Sequence, residues 1–152
     1  MQMAVDIVNT SEHPTNKIAA CVFGTSLSGE PFAVRAVNHW PDIILDKIGR
    51  DMDIGDASGT VHAEVACIVA APCTDGAAIA ITDPFCPNCA KNIAEAGIKA
   101  IYIDHKGFDK DWTARRVDDF TDLSLRIAER AGIRFMMVHR REGKITPMMT
   151  PS

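Results

Sequence analysis

Short apolar runs separated by turn-forming residues recur along this chain, and their spacing predicts alternating strands and helices. The apolar runs over 18–24 and 32–38 flank a segment rich in serine, glycine and proline, which predicts an antiparallel hairpin. A short helix is predicted over 1–10. Three further apolar runs predict short buried strands over 77–82, 98–103 and 133–138.

Three longer segments have helical patterns. Residues 62–71 are nearly apolar all round, which predicts a helix in the centre of the fold. A second helix is predicted over 87–96, where Gly97 is a favoured residue just past a helix end. Residues 113–131 are amphipathic and predict a long helix with one apolar face.

Two segments lack a clear period. Residues 39–60 contain five aspartates and are predicted to form a long loop with a short helix over 42–48. Loops of this length in compact domains are usually functional or disordered. The polar tail that starts at Arg140 contains two prolines and is predicted to fray.

The order of these elements predicts an α/β fold. Strands that alternate with helices indicate a three-layer α/β/α sandwich, with a five-stranded mixed sheet whose last strands are parallel. A length of 152 residues without an internal repeat predicts a single domain over 1–152.

Composition and charge limit the partners. A hydrophobic fraction of 47% with 24% charged residues is ordinary for a soluble globular protein. A net charge of −4 with scattered basic residues argues against charge-driven binding to long nucleic acid. No apolar run has the length of a membrane span and no secretory signal opens the chain, so we expect no membrane partner and a cytoplasmic location.

Metal-ligand spacing appears in two motifs. His62 is followed by Ala63 and Glu64, and 22 residues later Cys86 and Cys89 stand three apart. We expect Cys86 to cap a helix that starts at proline, so that both sulfurs and the imidazole reach one point. Three such ligands with a fourth position open are typical of a catalytic zinc site, and we predict one Zn²⁺ per chain.

Glu64 distinguishes an enzyme from a structural zinc site. In the first helical turn its carboxylate can lie beside the metal without binding it. Zinc lowers the pKa of a bound water from 15.7 to about 7, so a carboxylate there can take and pass on its proton. A Cys-x-x-Cys pair alone could also be a redox pair or half of a zinc finger, but no second half follows Cys89.

In these motifs the chain resembles the cytidine and deoxycytidylate deaminase superfamily over nearly its whole length. Segment 60–65 resembles the first zinc motif of that superfamily, and segment 80–91 resembles the second. The resemblance is best to dCMP deaminases. It implies that Asn38, at the end of the second strand, contacts substrate and that the Ala63 backbone amide binds a ring carbonyl. The alternative for Asn38 is a turn former at a strand end.

The chain also departs from that pattern. Phe85 stands where the family has proline before the first ligand cysteine, which could alter the pocket wall or place a ring against a base. The acidic segment 39–59 suits a 5′-phosphate badly. Lys17 and Arg35 are candidate phosphate partners, although such side chains are more often simply solvated.

Together, the motifs and the resemblance predict a zinc-dependent hydrolytic deaminase. It would release ammonia from an amino-substituted nucleobase, nucleoside or nucleotide, with dCMP or another cytosine compound as the best choice. A deaminase of guanine or another free purine base and a tRNA adenosine deaminase are alternatives. A non-catalytic zinc domain for binding or assembly is an alternative from a different class. The resemblance also implies a homodimer or larger homo-oligomer.

Overall fold

The computed structural model describes residues 1–47, 49–50, 60–106 and 120–148, with only the backbone at 120–122. In these ranges the chain forms one sheet. Its strands, in chain order β1 to β6, are Ala19–Thr25, Pro31–Val37, Ala78–Ile81, Ala100–Asp104, Arg134–His139 and Lys144–Pro147. Across the sheet they lie in the order β2-β1-β3-β4-β5-β6.

The helices α1 to α5 lie near their predicted positions. They span Gln2–Val5, Asp42–Lys47, Ala63–Ala70, Pro87–Glu95 and Phe120–Arg130. A turn of 3₁₀ helix, Val8–Thr10, follows α1, so the predicted helix over 1–10 is broken into two pieces. Parts of three predicted elements lie outside the described ranges, namely residue 48 of the short helix, residues 51–59 of the long loop and residues 113–119 of the long helix. Within those ranges, no helix combines the length and apolar composition that a membrane crossing requires.

The sheet confirms the mixed α/β class and corrects two details. The hairpin of β1 and β2 is antiparallel as predicted, and β3, β4 and β5 are parallel neighbours. The prediction of five strands was wrong because the described residues already form six, and β6 is antiparallel to β5. The described part of the tail, 140–148, therefore turns back and pairs with β5, so the prediction that the tail frays was wrong for these residues.

The sixth strand escaped prediction because backbone pairing rather than apolar burial stabilises it. Its only large apolar side chain, Ile145, is 55% exposed. The turn before it contains Gly143 at φ +60°, a conformation that glycine adopts without steric cost. A strand that pairs through its backbone and faces solvent leaves almost no periodic signal in the sequence.

Alternating residues of β1 face two different helical layers. Ala20 and Val22 belong to the main core, against which α3, α4 and α5 pack. Ala19 and Cys21 point to the other face, where they pack against α1. This alternation follows from the two-residue period of a strand and produces the predicted helix, sheet, helix layering.

Helix α3 is less buried than its composition predicted. Ala63, Glu64 and Cys67 are its buried residues, whereas Val69 is 81% exposed. The helix packs against β1, β2 and α4, and its last two residues are exposed, so it is less central than its composition predicted. The first turn, which carries the candidate chemistry, is nevertheless its most buried part.

Helix α4 ends at Glu95, and Gly97 lies just past its end, as the sequence predicted. Gly97 has φ +77°, and a Cβ at this position would lie 2.6 Å from Oδ1 of Asp75. The amide of Ile98 bonds back to the carbonyl of Ile93 at 3.3 Å, which completes a common helix-terminating motif. This sharp stop leads the chain directly into β4, beside β3.

Candidate metal centre

The amino-terminal ends of α3 and α4 carry the predicted ligands. His62 is the residue immediately before α3 and has extended backbone angles, φ −67° and ψ 146°. Cys86 occupies the same position before α4, which begins at Pro87. The Cys89 amide donates a hydrogen bond of 3.3 Å to the Cys86 sulfur. Capping therefore holds Cys86 and Cys89 on the same end of one helix.

The three ligand side chains converge with the spacing that zinc requires. Nδ1 of His62 lies 3.2 Å from Sγ of Cys89 and 3.6 Å from Sγ of Cys86. All the ligand atoms lie within 4.8 Å of one another. Tetrahedral zinc with ordinary Zn–N and Zn–S bonds places such atoms about 3.5 Å apart. The residues therefore fit a zinc ion bound through Nδ1 and two sulfurs.

The two thiols influence each other strongly. A hydrogen bond from Cys89 lowers the pKa of the Cys86 thiol to about 4. The same interaction, with burial, raises the pKa of Cys89. Without a metal the pair thus shares one proton between two sulfurs. Zinc binds thiolates and releases their protons on binding, so this pair is suited to hold it.

Glu64 is buried beside the cluster and is not one of its ligands. Glu64 is only 2% exposed, and burial raises the pKa of its carboxyl to about 6. Hydrogen bonds from its own backbone amide and from the Cys89 side chain act in the opposite direction. The cluster that could hold a metal contains only His62, Cys86 and Cys89 among the described residues.

Ala63 lies at the start of the same helix. It is fully buried and is the first residue of α3. The first amides of a helix have no carbonyl partner within the helix. The Ala63 amide therefore stands next to His62 and Glu64 as a donor for a bound ring, and this role stays a prediction.

Asn38 is brought to the metal end of α3 by a short bridge. His39 and Val61 exchange backbone hydrogen bonds of 3.2 and 2.8 Å in antiparallel register. Asn38 and His62 occupy the next opposed positions of this pairing. The end of β2 and the start of α3 therefore lie side by side, a relation that sequence spacing alone did not predict.

The Asn38 carboxamide is engaged with the amino-terminal segment. Its Oδ1 accepts hydrogen bonds from Ser11 Oγ at 2.6 Å and from the Ile18 amide at 3.0 Å. Its Nδ2 donates to the Asn16 carbonyl at 2.8 Å. Three of its four hydrogen-bonding positions are thus used within the protein. One N–H is left over from this set, and contact with substrate stays a prediction.

Asn38→Ala is expected to lower the free energy of unfolding by about 2–4 kcal/mol, because a buried partner in Ser11 and half-buried partners in Asn16 and Ile18 lose their hydrogen bonds. Urea denaturation followed by circular dichroism measures the change. Ser11→Ala is the matched control and should cost less, about 1–2 kcal/mol, since it removes only one hydroxyl group, which contacts Asn38 and accepts from the His13 amide, and leaves the Asn38 bonds to Ile18 and Asn16 in place. Equal stability of the Asn38 variant and the wild type would contradict the structural role of this side chain.

The two candidate phosphate partners lie elsewhere. Lys17 Nζ donates to the Asn9 carbonyl at 3.3 Å and lines a polar cavity of about 490 Å³. Arg35 is paired with Cys21 across β1 and β2, so it lies on the face that carries α1. Its guanidinium reaches the Met3 carbonyl at 3.5 Å. Arg35 is therefore on the opposite face of the sheet from α3 and α4.

Phe85 belongs to the core. It is 3% exposed, and its ring stacks on that of Phe135 with centroids 5.6 Å apart. The aromatic residue before Cys86 thus anchors the start of α4 against β5. The expectation that its ring could face a base is replaced by this packing role.

A mixed sheet with a His/Cys/Cys cluster at two helix ends defines an α/β protein with a candidate metal centre, and its fold is similar to that of a solved deaminase. The dCMP deaminase of the cyanophage S-TIM5, in complex with dCMP and dUMP, is similar to this chain with a TM-score of 0.62. Identity is 20%, over 90% of this chain and 91% of that chain. The apo form of the same enzyme gives a TM-score of 0.55 at 18% identity over the same shares. No protein-family model and no curated sequence matches the chain. The shared fold is what this likeness shows.

Proposed function

We propose that this protein is a zinc-dependent hydrolytic deaminase that releases ammonia from an amino-substituted nucleobase, nucleoside or nucleotide. The observation that carries the proposal is the burial of Glu64 beside a cluster of three metal-ligand side chains. Burying an ionised carboxylate costs free energy unless a hydrogen bond or an opposite charge compensates it, so such a group often has a functional role. Glu64 is adjacent to the ligands and outside their set, which is the position a proton carrier needs.

The ligand set supports a catalytic rather than a structural metal. Structural zinc sites are closed by four protein ligands, whereas catalytic sites keep one position open. Among the described residues the cluster has three members, His62, Cys86 and Cys89. A zinc ion bound by them would supply Lewis-acid activation of water.

The residues of the chain then have separate tasks. Water adds to the ring carbon that carries the amine, the carbon–nitrogen bond breaks, and ammonia leaves as a carbonyl forms. Glu64 would take one proton of the attacking water on a carboxylate oxygen and deliver it to the ring nitrogen. It would then take the second proton from the hydroxyl group formed on the ring carbon and deliver it to the departing amine. The Ala63 amide would hold the ring carbonyl. Burial of both residues excludes bulk water from these transfers.

Cytosine compounds are the proposed substrate class, with dCMP preferred. The likeness in fold to a dCMP deaminase whose structure contains dCMP and dUMP supports this choice. The expected homo-oligomer, the single domain and the cytoplasmic location stay predictions.

A substrate panel tests the proposal. Zinc-loaded protein is incubated with dCMP, deoxycytidine, cytosine, guanine and an adenosine-containing anticodon stem-loop, and ammonia is measured by a coupled assay. We expect turnover of a cytosine compound, with dCMP the fastest. Faster turnover of guanine or of the RNA than of the cytosine compounds would show that the substrate is a purine base or an RNA adenosine instead. No turnover of any compound by protein with one zinc per chain would instead favour a non-catalytic zinc domain.

A further inference from the structure

A second cavity, which we call the basic pocket, lies at the carboxyl ends of β4 and β5. Its volume is about 560 Å³. Asp104 ends β4 and His139 ends β5, so the cavity lies at the edge of the sheet where parallel strands of α/β proteins usually present their ligand sites. Five of its lining residues have basic side chains, namely His105, Lys106, His139, Arg140 and Arg141.

Arg140 is held in place by a buried carboxylate. Its Nε and one terminal nitrogen lie 3.0 and 2.9 Å from Oδ2 of Asp104. The Asp104 side chain is 5% exposed and that of Arg140 is 28% exposed. A guanidinium has five N–H donors, and this ion pair uses two of them. The remaining donors are fixed in orientation, which lowers the entropic cost of binding a ligand.

The pocket has more positive than negative charge. Lys106, Arg140 and Arg141 are opposed by Asp104 and Glu142, which leaves one surplus positive charge on a chain whose net charge is −4. Among the described residues neither Lys106 nor Arg141 enters an ion pair, and both are exposed and line the cavity. A locally basic cavity on an acidic protein attracts small anions.

Two imidazole rings also line the basic pocket. The rings of His105 and His139 have centroids 4.3 Å apart and are tilted by 35°. Nε2 of His139 lies 3.0 Å from Thr146 Oγ1, so strand β6 helps to fix this ring. Imidazole, guanidinium and ammonium groups around one cavity are the donors that proteins use for phosphate oxygens.

The basic pocket adjoins the polar cavity that Lys17 lines. Both cavities are lined by Asp104, Lys106 and Arg140, and the polar cavity extends to Thr82 at the end of β3. Thr82 precedes the metal-ligand residue Cys86 by only four positions. The candidate metal ligands Cys86 and Cys89 follow β3, and the basic residues follow its parallel neighbours β4 and β5. Both groups therefore follow the carboxyl ends of neighbouring strands.

From this cluster we infer that the basic pocket binds the phosphate group of a small phosphorylated molecule. Arg140 supplies a preorganised donor, Lys106 and Arg141 supply exposed positive charge, and the rings of His105 and His139 line the same cavity. The phosphate belongs either to the substrate itself or to a separately bound regulator. The chemistry of recognition is the same in both cases, and binding experiments separate them.

Titration calorimetry of the zinc-loaded protein with inorganic pyrophosphate tests the inference. The double variant Lys106→Gln, Arg141→Gln should bind at least tenfold more weakly than the wild type. The matched control, Lys99→Gln with Arg126→Gln, removes the same charge from exposed positions outside the cavity and should stay within twofold. Absence of saturable binding to the wild type, or equal weakening in both double variants, would overturn the inference. Binding to the metal or to net charge alone would produce such equal behaviour.

Competition identifies the source of the phosphate. If it belongs to the substrate, pyrophosphate and dCMP exclude each other, and deoxycytidine binds regardless of pyrophosphate. If it belongs to a regulator, pyrophosphate and dCMP bind together. Both outcomes support the phosphate site. The calorimetric result needs no turnover, so failure of the proposed deaminase activity would leave it intact.

Discussion

Glu64→Gln is expected to lower kcat by about 1,000-fold while zinc stays bound, because an amide of nearly the same shape cannot accept and return a proton. The carboxylate is buried beside the ligand cluster but does not belong to it. Its loss should therefore remove proton transfer and leave metal affinity nearly unchanged. Steady-state kinetics with the best panel substrate and elemental analysis of the same sample measure the two quantities.

Glu95→Gln provides the control for this prediction. Glu95 ends α4 at an exposed position, so the same chemical change there should leave kcat within twofold of the wild type. A Glu64 variant that retains zinc and turns over substrate at a rate near that of the wild type would remove Glu64 from the mechanism. A variant that loses both zinc and activity would show that Glu64 supports the metal centre itself.

Cys89→Ala is expected to abolish stoichiometric zinc binding and, with it, activity. Its sulfur is 3.2 Å from the His62 imidazole, and loss of it leaves two ligands for a metal that needs three from the protein. Even loss of an outer partner typically weakens metal affinity 10–100-fold, so loss of a direct ligand should exceed about 100-fold. Elemental analysis after gel filtration should find far less than one zinc per chain.

Cys67→Ala is a closely matched control. Cys67 is fully buried on α3 and donates to the Ala20 carbonyl at 3.2 Å, but it is not in the ligand cluster. This variant should retain zinc, and added zinc should raise its Tm as it does for the wild type, since a ligand of the native state stabilises that state. Added zinc should not raise the Tm of the Cys89 variant. Equal zinc contents in both variants would contradict the assigned metal centre.

Signals from neighbouring residues, such as turn formers and helix caps, were enough to predict several elements of the fold. The hairpin of β1 and β2 was predictable because two apolar runs flank a turn-rich segment, and both strands lie within about one residue of the predicted limits. Helix α4 was predictable because Pro87 favours its first position and Gly97 its end. Such signals act within one or two turns of the chain.

Other features were not predictable from local signals. Strand β6 is stabilised by backbone pairing with β5, and Val69 is exposed because only one side of α3 meets the sheet. The hydrogen bonds of Asn38 to Ser11 and Asn16 join segments more than 20 residues apart. These contacts depend on which surfaces meet after folding, and residue order alone does not specify that.

The sequence by itself determined the identities and order of the candidate metal-ligand residues and the local helices that carry them. Only the tertiary structure placed Nδ1 of His62 within 3.2 and 3.6 Å of two sulfurs and buried Glu64 beside them. It also gathered the basic pocket from the ends of two strands. The reason is physical: propensity and capping act over a few residues, whereas distance and burial between remote segments follow from how the helices pack against the sheet.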